Sequence, residues 1–301
     1  MAKRKKSALL QRVEYAAYRV VSRLVNAASD EGLLHWGSIF GNLSRRLLRG
    51  RDRLAFRNLR AAFPEKSERE LRAVLDECWR HFGREMLLFV QMQSMSLEEI
   101  ADRCPFVNEA MLEAAAADGN GVVLISAHFG GWEVGGLALM ALVENVRTVA
   151  RPLDNEYLER DLARLRARTG AAVIDRRRAA RALMKGLSEN ATIVLLPDQA
   201  VQEREGVLVP FLGRNAWTTD APAKMALRNE SVIVFAFCIP DGARHRLVFE
   251  EMIRVADLAK EEREPLALTR RINDAISRRI ASRPEWWLWM HDRWKGTTGK
   301  A

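Results

Sequence analysis

The apolar run Val122-Val123-Leu124-Ile125, entered through Gly121 and continued by Ser126-Ala127-His128-Phe129-Gly130-Gly131-Trp132-Glu133, constrains this chain more than any other segment. A short run rich in β-branched residues reads as a buried strand. The glycine pair then stops the strand, and Trp132-Glu133-Val134 opens a helical pattern that ends near Leu142. A histidine is thereby delivered at the C-terminal end of a strand, where open α/β sheets place their ligands. A carboxylate follows five residues later. On an ideal helix that spacing sets the two side chains about 140° apart. They meet only if His128 sits in the loop and Glu133 in the first helical turn, which the glycines permit.

A neutral imidazole is the commonest general base near neutral pH, and it needs a partner to fix its tautomer and stabilise its charged form. Glu133 is the expected partner, leaving the other ring nitrogen free to take a proton from a hydroxyl. The alternative is a histidine that only caps the helix, with Glu133 favouring the helix dipole.

Further strands are expected at 146–151, 171–174, 192–197, 232–238 and 245–250, with helices between most of them and a last long helix near 259–282. This alternation implies an α/β fold, a mostly parallel central sheet covered by helices on both faces. The front of the chain is helical. Residues 30–62 are arginine-rich and helix-like, Ala62-Phe63-Pro64-Glu65 breaks the chain, and Ser67 with Glu70 makes a capping box that opens a helix to about Phe89. No repeat or low-complexity linker divides the chain. The expected organisation is a basic amphipathic helix over 1–28 and one α/β domain over 29–301, whose helical front covers 29–105.

The formal charge of +9 implies acidic partners: nucleic acid, an anionic membrane, a phosphorylated substrate or an acidic protein. No nucleic-acid-binding motif accompanies it, so nucleic acid is not expected. After Lys3-Arg4-Lys5-Lys6, Val13, Ala17, Val20 and Leu24 line one stripe of a helix and Arg12, Arg19 and Arg23 another. No uncharged apolar stretch reaches the length of a spanning helix, and the features of a signal peptide are missing. Two readings stay open for this helix: it lies on an anionic surface, or it packs on its own domain. In either case the chain is expected to stay in the cytosol. Cys78, Cys104 and Cys238 have neither disulfide nor zinc spacing, and the other histidines, His35, His81, His245 and His291, form no metal-ligand spacing. A nucleophile elbow, a Walker loop and a dinucleotide fingerprint are also lacking, so no metal or cofactor is expected.

Three clusters share the strand-end placement of His128. Val146 to Pro152 ends in Arg151 and precedes an arginine-dense helix bearing Arg160, Arg164, Arg166 and Arg168. Ile193 to Gln199 presents Asp198 and Gln199, and Val207 to Gly213, including Phe211, leads through Trp217 to Thr218-Thr219. Taken singly these read equally as a solvated helix face, an N-cap and a turn. Their common position after apolar strands argues for one site.

The His-x4-Glu box resembles that of the glycerolipid-type acyltransferases, and the larger pattern resembles the late-acting lipid A acyltransferases and their mycobacterial phosphatidylinositol-mannoside relatives. The matching segments are Asn58-Leu59 to Phe63-Pro64-Glu65, His128 to Glu133, Arg151-Pro152 with Asn155, Arg166-x-Arg168, Asp175-Arg176, Pro197-Asp198-Gln199, Pro210 to Gly213, Pro284 to Trp289, and Arg293-Trp294-Lys295. The resemblance implies transfer of a fatty acyl chain from a thioester carrier, acyl carrier protein or acyl-coenzyme A, to a hydroxyl of a membrane glycolipid, without metal, cofactor or covalent intermediate. It implies His128 as base and Glu133 as its orienter. Arg166 is implied to stabilise the oxyanion or hold a phosphate, and Asp198 to be a further site acid. Arg151, Arg168, Gln199, Trp132 and Phe211 are the substrate-binding residues it suggests. The implied location is the cytoplasmic face of a bacterial inner membrane. The alternative among enzymes is an acyl-coenzyme A-dependent acyltransferase acting on another glycolipid or phospholipid, such as a phosphatidylinositol mannoside, in place of a lipid A precursor. A non-catalytic lipid-binding protein on the same fold is the competing reading from another class. The chain departs from the pattern at Gly131, where many relatives carry asparagine, at Leu212, where many carry phenylalanine, and in lacking their N-terminal spanning helix.

Overall fold

The structure is a computed structural model that describes residues 7–150, 153–170, 172–175 and 179–297. Arg151 and the basic run Arg176–Arg178 lie outside the described residues. The helical front comprises α1 (Ala8–Ala27), α2 (Asp30–Leu47), α3 (Arg49–Ala62), α4 (Glu68–Met92) and α5 (Leu97–Arg103). Serine side chains set several starts: Ser7 caps α1, Ser29 caps α2, and Ser67 with Glu70 forms the expected capping box of α4. The helical stretch over 30–62 is two helices, because Leu48 leaves helical geometry at φ −99°, ψ 46° and turns the chain. α2 and α4 pack at backbone contact: a Cβ on Gly41 would stand 1.9 Å from the Trp79 carbonyl oxygen, so the crossing admits only glycine there.

The six sequence-read strands are all present, as β2 (Val122–Ile125), β3 (Val146–Ala150), β4 (Ala172–Asp175), β5 (Thr192–Leu195), β8 (Val232–Asp241) and β9 (Arg244–Arg254). A two-residue β1 (Phe106–Val107) completes a seven-strand sheet in the order β1-β9-β8-β2-β5-β3-β4, in which only the β8–β9 hairpin is antiparallel. Alternate residues of β2 point to opposite faces. Val123 and Ile125 join the core under α9 (Ala179–Ser188), α10 (Ala221–Asn229) and α11 (Pro265–Ser282). Val122 and Leu124 join the core under α6 (Ala110–Ala117) and α7 (Trp132–Leu142), which α8 (Glu156–Thr169) closes through Leu165. The sheet is therefore covered on both faces. The last helix starts at Pro265 rather than near 259, because proline belongs in the first turn, where its missing N–H costs nothing.

The segment after Asp198 holds a feature that the apolar pattern does not reveal. β6 (Val207–Phe211) and β7 (Arg214–Thr218) form a separate antiparallel hairpin, turned through Leu212 and Gly213 at φ 48° and 74°. Both turn residues are left-handed, the geometry that matches strand twist.

α1 packs on its own domain by its polar side. Gln11 is buried, Tyr15 Oη donates to Asp161 of α8 at 2.9 Å, and Tyr18 Oη donates to Gln93 at 2.9 Å. Its apolar stripe faces out, with Leu9 73% and Leu24 67% exposed. α2 adds a second exposed stripe, Trp36, Ile39, Phe40, Leu43 and Leu47, at the i, i+3, i+4, i+7, i+11 spacing of one helix face. Among the described residues no helix is long and apolar enough to cross a membrane.

Candidate active site

β2 and β5 are parallel neighbours with Ile125 opposite Leu195, and the ladder continues where Ser126 N–H donates to the Leu195 carbonyl at 3.0 Å. Three residues further along each strand stand His128 and Asp198. The register brings them together: His128 Nδ1 is 2.9 Å from Asp198 Oδ1, and the His128 backbone N–H donates to Oδ2 at 3.0 Å. Trp287 Nε1–H donates to the same Oδ2 at 2.8 Å. Asp198 is fully buried, so its carboxylate is satisfied entirely by this loop and that indole.

The residue at Nδ1 is thus Asp198, where the five-residue spacing points to Glu133. Glu133 opens α7 at the surface, accepts from Trp132 Nε1 at 3.3 Å, and acts on His128 through its charge. Burial disfavours the imidazolium, but the charge and hydrogen bond of Asp198, helped by Glu133, outweigh it and hold the His128 pKa above its ordinary value. Burial likewise opposes ionised Asp198, yet His128, Trp287 and the backbone N–H hold its carboxyl below the usual range. Both shifts describe one coupled pair. With Nδ1–H donating to Asp198, neutral His128 carries its lone pair on Nε2, and the Gln199 amide nitrogen lies 3.1 Å from it. Trp132 packs beside the imidazole with ring centroids 5.7 Å apart.

His128 borders an apolar cavity of about 840 Å³. His128, Trp132 and Glu133 line it together with Leu124, Leu137, Met140, Leu158, Leu162, Leu165 and Val194. α7 and α8 each contribute a helical stripe, Trp132-Gly136-Met140 and Leu158-Leu162-Leu165.

The other residues singled out in the sequence divide. Gln199 is at the site. Phe211 is fully buried behind it: alternation along β6 turns its ring inward against Trp287, with centroids 5.5 Å apart, so it supports the Asp198 clamp and does not line the cavity. Arg168 donates to the Met95 carbonyl at 2.5 Å, fastening α8 to the turn between α4 and α5 and standing clear of the cavity lining. Arg166 falls on α8, but its side chain, like Arg151, lies outside the described part of the structure.

Two groups to which the sequence assigns no role stand at the site. The first, Trp287 and Arg293, belongs to the C-terminal segment, whose cluster of Trp286, Trp287, Trp289 and Trp294 is the signal that marks it. Arg293 is fully buried, donates to the Trp217 carbonyl at 2.7 Å, and lies 4.4 Å from the centre of the Phe211 ring. Burial draws its pKa down to about 10 while the Asp198 charge draws it up, so it remains a cation at neutral pH. The same segment fixes the His128 loop: Leu288 N–H donates to the His128 carbonyl at 3.0 Å, and Gly130 N–H to the Trp286 carbonyl at 2.9 Å. The second group is a buried carboxylate with two histidines beneath Gly131. A Cβ on Gly131 would lie 2.5 Å from His245 Cδ2 and 2.7 Å from Glu85 Oε2, so a larger side chain has no room here. Among the described residues, no three His, Cys, Asp or Glu side chains are grouped so as to hold a metal ion, and the three cysteines are buried thiols.

The family described as bacterial lipid A biosynthesis acyltransferase matches residues 1–296. Among curated proteins, the lipid A biosynthesis palmitoleoyltransferase of Escherichia coli (strain K12) is 25% identical over 264 residues, 86% of this chain and 83% of that protein. A lipid A biosynthesis acyltransferase of Haemophilus influenzae is 28% identical over 269 residues, covering 87% and 84%. The phosphatidylinositol mannoside acyltransferase of Mycobacterium tuberculosis is 27% identical over 186 residues, covering 61% and 57%.

Proposed function

The chain belongs to the bacterial lipid A biosynthesis acyltransferase family, and on that footing we propose that it transfers a fatty acyl chain from a thioester to a hydroxyl of a lipid A precursor, with His128 as the base. One observation carries the mechanism: a histidine whose Nδ1 is held by a buried carboxylate lines a large apolar cavity. The acceptor hydroxyl takes the place of the Gln199 amide at Nε2. As its oxygen bonds to the thioester carbonyl carbon, its proton passes to Nε2, and Asp198 and Glu133 stabilise the resulting imidazolium. Collapse of the tetrahedral intermediate breaks the carbon–sulfur bond, and the thiolate recovers the proton. No acyl-enzyme is formed. Arg166, on the helix that walls the cavity, and the positive end of α7 serve the developing oxyanion. Incubating the purified protein with either acyl carrier protein or acyl-coenzyme A thioesters and vesicles bearing a lipid A precursor or a phosphatidylinositol mannoside tests this reading. We expect one added acyl ester on the lipid A precursor, with the carrier protein preferred because the chain's charge of +9 suits an acidic donor. Thioester hydrolysis with neither lipid acylated contradicts it.

The cavity holds the acyl chain between the stripes of α7 and α8. Gly136 lines it, and a Cβ there would meet no atom within 4 Å, so added side-chain volume enters the cavity. Gly136→Leu should move donor preference toward shorter chains by about tenfold in relative kcat/KM, since one methylene in a fitted pocket discriminates by that order or more. An unchanged chain-length profile places the acyl chain elsewhere.

The outward stripes of α1 and α2 form the membrane-facing surface, on the cytoplasmic side of the inner membrane, with the exposed Arg46 at the end of α2 and Arg49 at the start of α3 beside them. Insertion of each large apolar side chain contributes roughly 1.5–3 kcal/mol. Replacing Trp36, Phe40, Leu43 and Leu47 with glutamine should weaken sedimentation with anionic vesicles by about a hundredfold or more, without unfolding. Unaltered binding removes α2 from the contact.

A further inference from the structure

We propose that His81, Glu85 and His245 are positioning residues, a buried relay that sets the loop from which His128 hangs. The inference rests on His128 being the reacting group. His81 and Glu85 lie one turn apart on α4, and His245 lies on β9. Glu85 lies between the two histidines: His245 Nε2–H donates to Oε2 at 2.8 Å, and His81 packs alongside with Nδ1 3.6 Å from Oε1, beyond hydrogen-bond distance. The far nitrogen of His81, Nε2, lies 3.3 Å from the Gly130 carbonyl, two residues after His128. All three side chains are buried.

This cluster touches the loop twice. His81 donates to the Gly130 carbonyl, while Gly131 rests directly on the His245 ring and the Glu85 carboxylate, closely enough to exclude a Cβ. From the opposite side, Gly130 (φ +59°) sits against the Cys238 carbonyl, and Gly131 N–H donates to that oxygen at 3.0 Å. The peptide between strand β2 and helix α7 is therefore held between β8 and the relay. Its orientation decides where His128 hangs and where Trp132 and Glu133 begin α7. Burial opposes ionisation of Glu85, but His245 above all, with His81 and Arg84, keeps its carboxyl below the usual range, so the relay contains a charge that strengthens the hydrogen bond to His245. A buried ion pair of this kind brings little stability over apolar residues of the same volume. What it adds is a polar hold on the loop beside those of the C-terminal segment and Cys238.

The test compares His81→Phe, which keeps the ring and removes the donor, with His81→Gln, which returns an N–H donor, and adds Glu85→Gln as an independent break in the relay. Turnover and substrate KM are measured on the full chain with an acyl thioester and a lipid A precursor. The imidazole ¹H–¹⁵N signals of His128 are recorded without substrate. A misplacement of about 1 Å at a reacting group costs up to about a hundredfold. We expect His81→Phe and Glu85→Gln to lower kcat by roughly tenfold to a hundredfold, to leave KM within about twofold, and to shift the His128 signals. His81→Gln should recover most of the loss. Wild-type kcat and unshifted His128 signals in folded His81→Phe and Glu85→Gln overturn the proposal, as does equal loss in His81→Phe and His81→Gln. If the wild-type protein acylates no lipid yet His81→Phe shifts the His128 signals, the acyl-transfer reaction fails and the positioning relay stands.

Discussion

His128→Ala is expected to lower kcat for acyl transfer by roughly 10²–10⁴-fold while the protein remains folded, the usual contribution of a positioned general base. The imidazole lines an existing cavity and is 22% exposed, so its removal enlarges that cavity and opens no new void in the core. What it does leave is Asp198, buried and deprived of the cation that favours its charge, with Trp287 Nε1–H and a backbone N–H still bonded to it. Far-ultraviolet circular dichroism and a thermal melt, run beside the turnover assay, separate loss of chemistry from loss of fold. Because His128 and Asp198 act as a unit, adding Asp198→Asn to His128→Ala should cost little more.

Asp198→Asn alone is the second large effect. An amide at this position keeps the shape of the clamp but removes the charge that stabilises the imidazolium and selects the tautomer with its lone pair on Nε2. In the serine-protease triad the equivalent change costs about 10⁴-fold, so a loss of roughly 10²–10⁴ is expected here. The pH profile carries a second signature. Below the His128 pKa the ring is charged and cannot accept a proton, so kcat/KM rises with pH through that pKa. In the wild-type protein the limb should lie above the ordinary histidine range, because Asp198 and Glu133 raise it against the effect of burial. Asp198→Asn should move the limb to lower pH even as the plateau falls. A limb that stays in place in the variant would mean that another group controls it.

The strands and most helices are legible in the sequence because apolar runs and serine caps act locally. His128 and Asp198 are each visible at a strand end, but their partnership is not. β5 returns beside β2 only after β3, α8, β4 and α9 have been laid down, and no local pattern states which parallel strands become neighbours. Sequence proximity favours Glu133 for the place at Nδ1, whereas the strand register puts Asp198 there. Phe211 is visible as part of an apolar run, but not the hairpin that turns it inward, because Leu212 occupies a left-handed position where glycine is the usual marker. The amphipathy of α1 is plain, and of its two readings the structure shows the packing on its own domain. The helix packs on its domain, through Gln11, Tyr15 and Tyr18, and its apolar stripe faces outward. His81 and His245 lack metal spacing, a criterion blind to a relay assembled from α4 and β9.

The central claim is that the acceptor hydroxyl attacks the thioester directly, with its proton going to His128. It is tested most directly by mixing the purified protein with an isotopically labelled acyl thioester, quenching within a single turnover, and reading both protein and lipid by intact mass, with and without a lipid A precursor. The predicted result is labelled acyl ester on the lipid, no labelled protein at any time, and neither product in His128→Ala. Label appearing first on the wild-type protein and then passing to the lipid, or lipid acylated at the wild-type rate by folded His128→Ala, would contradict it.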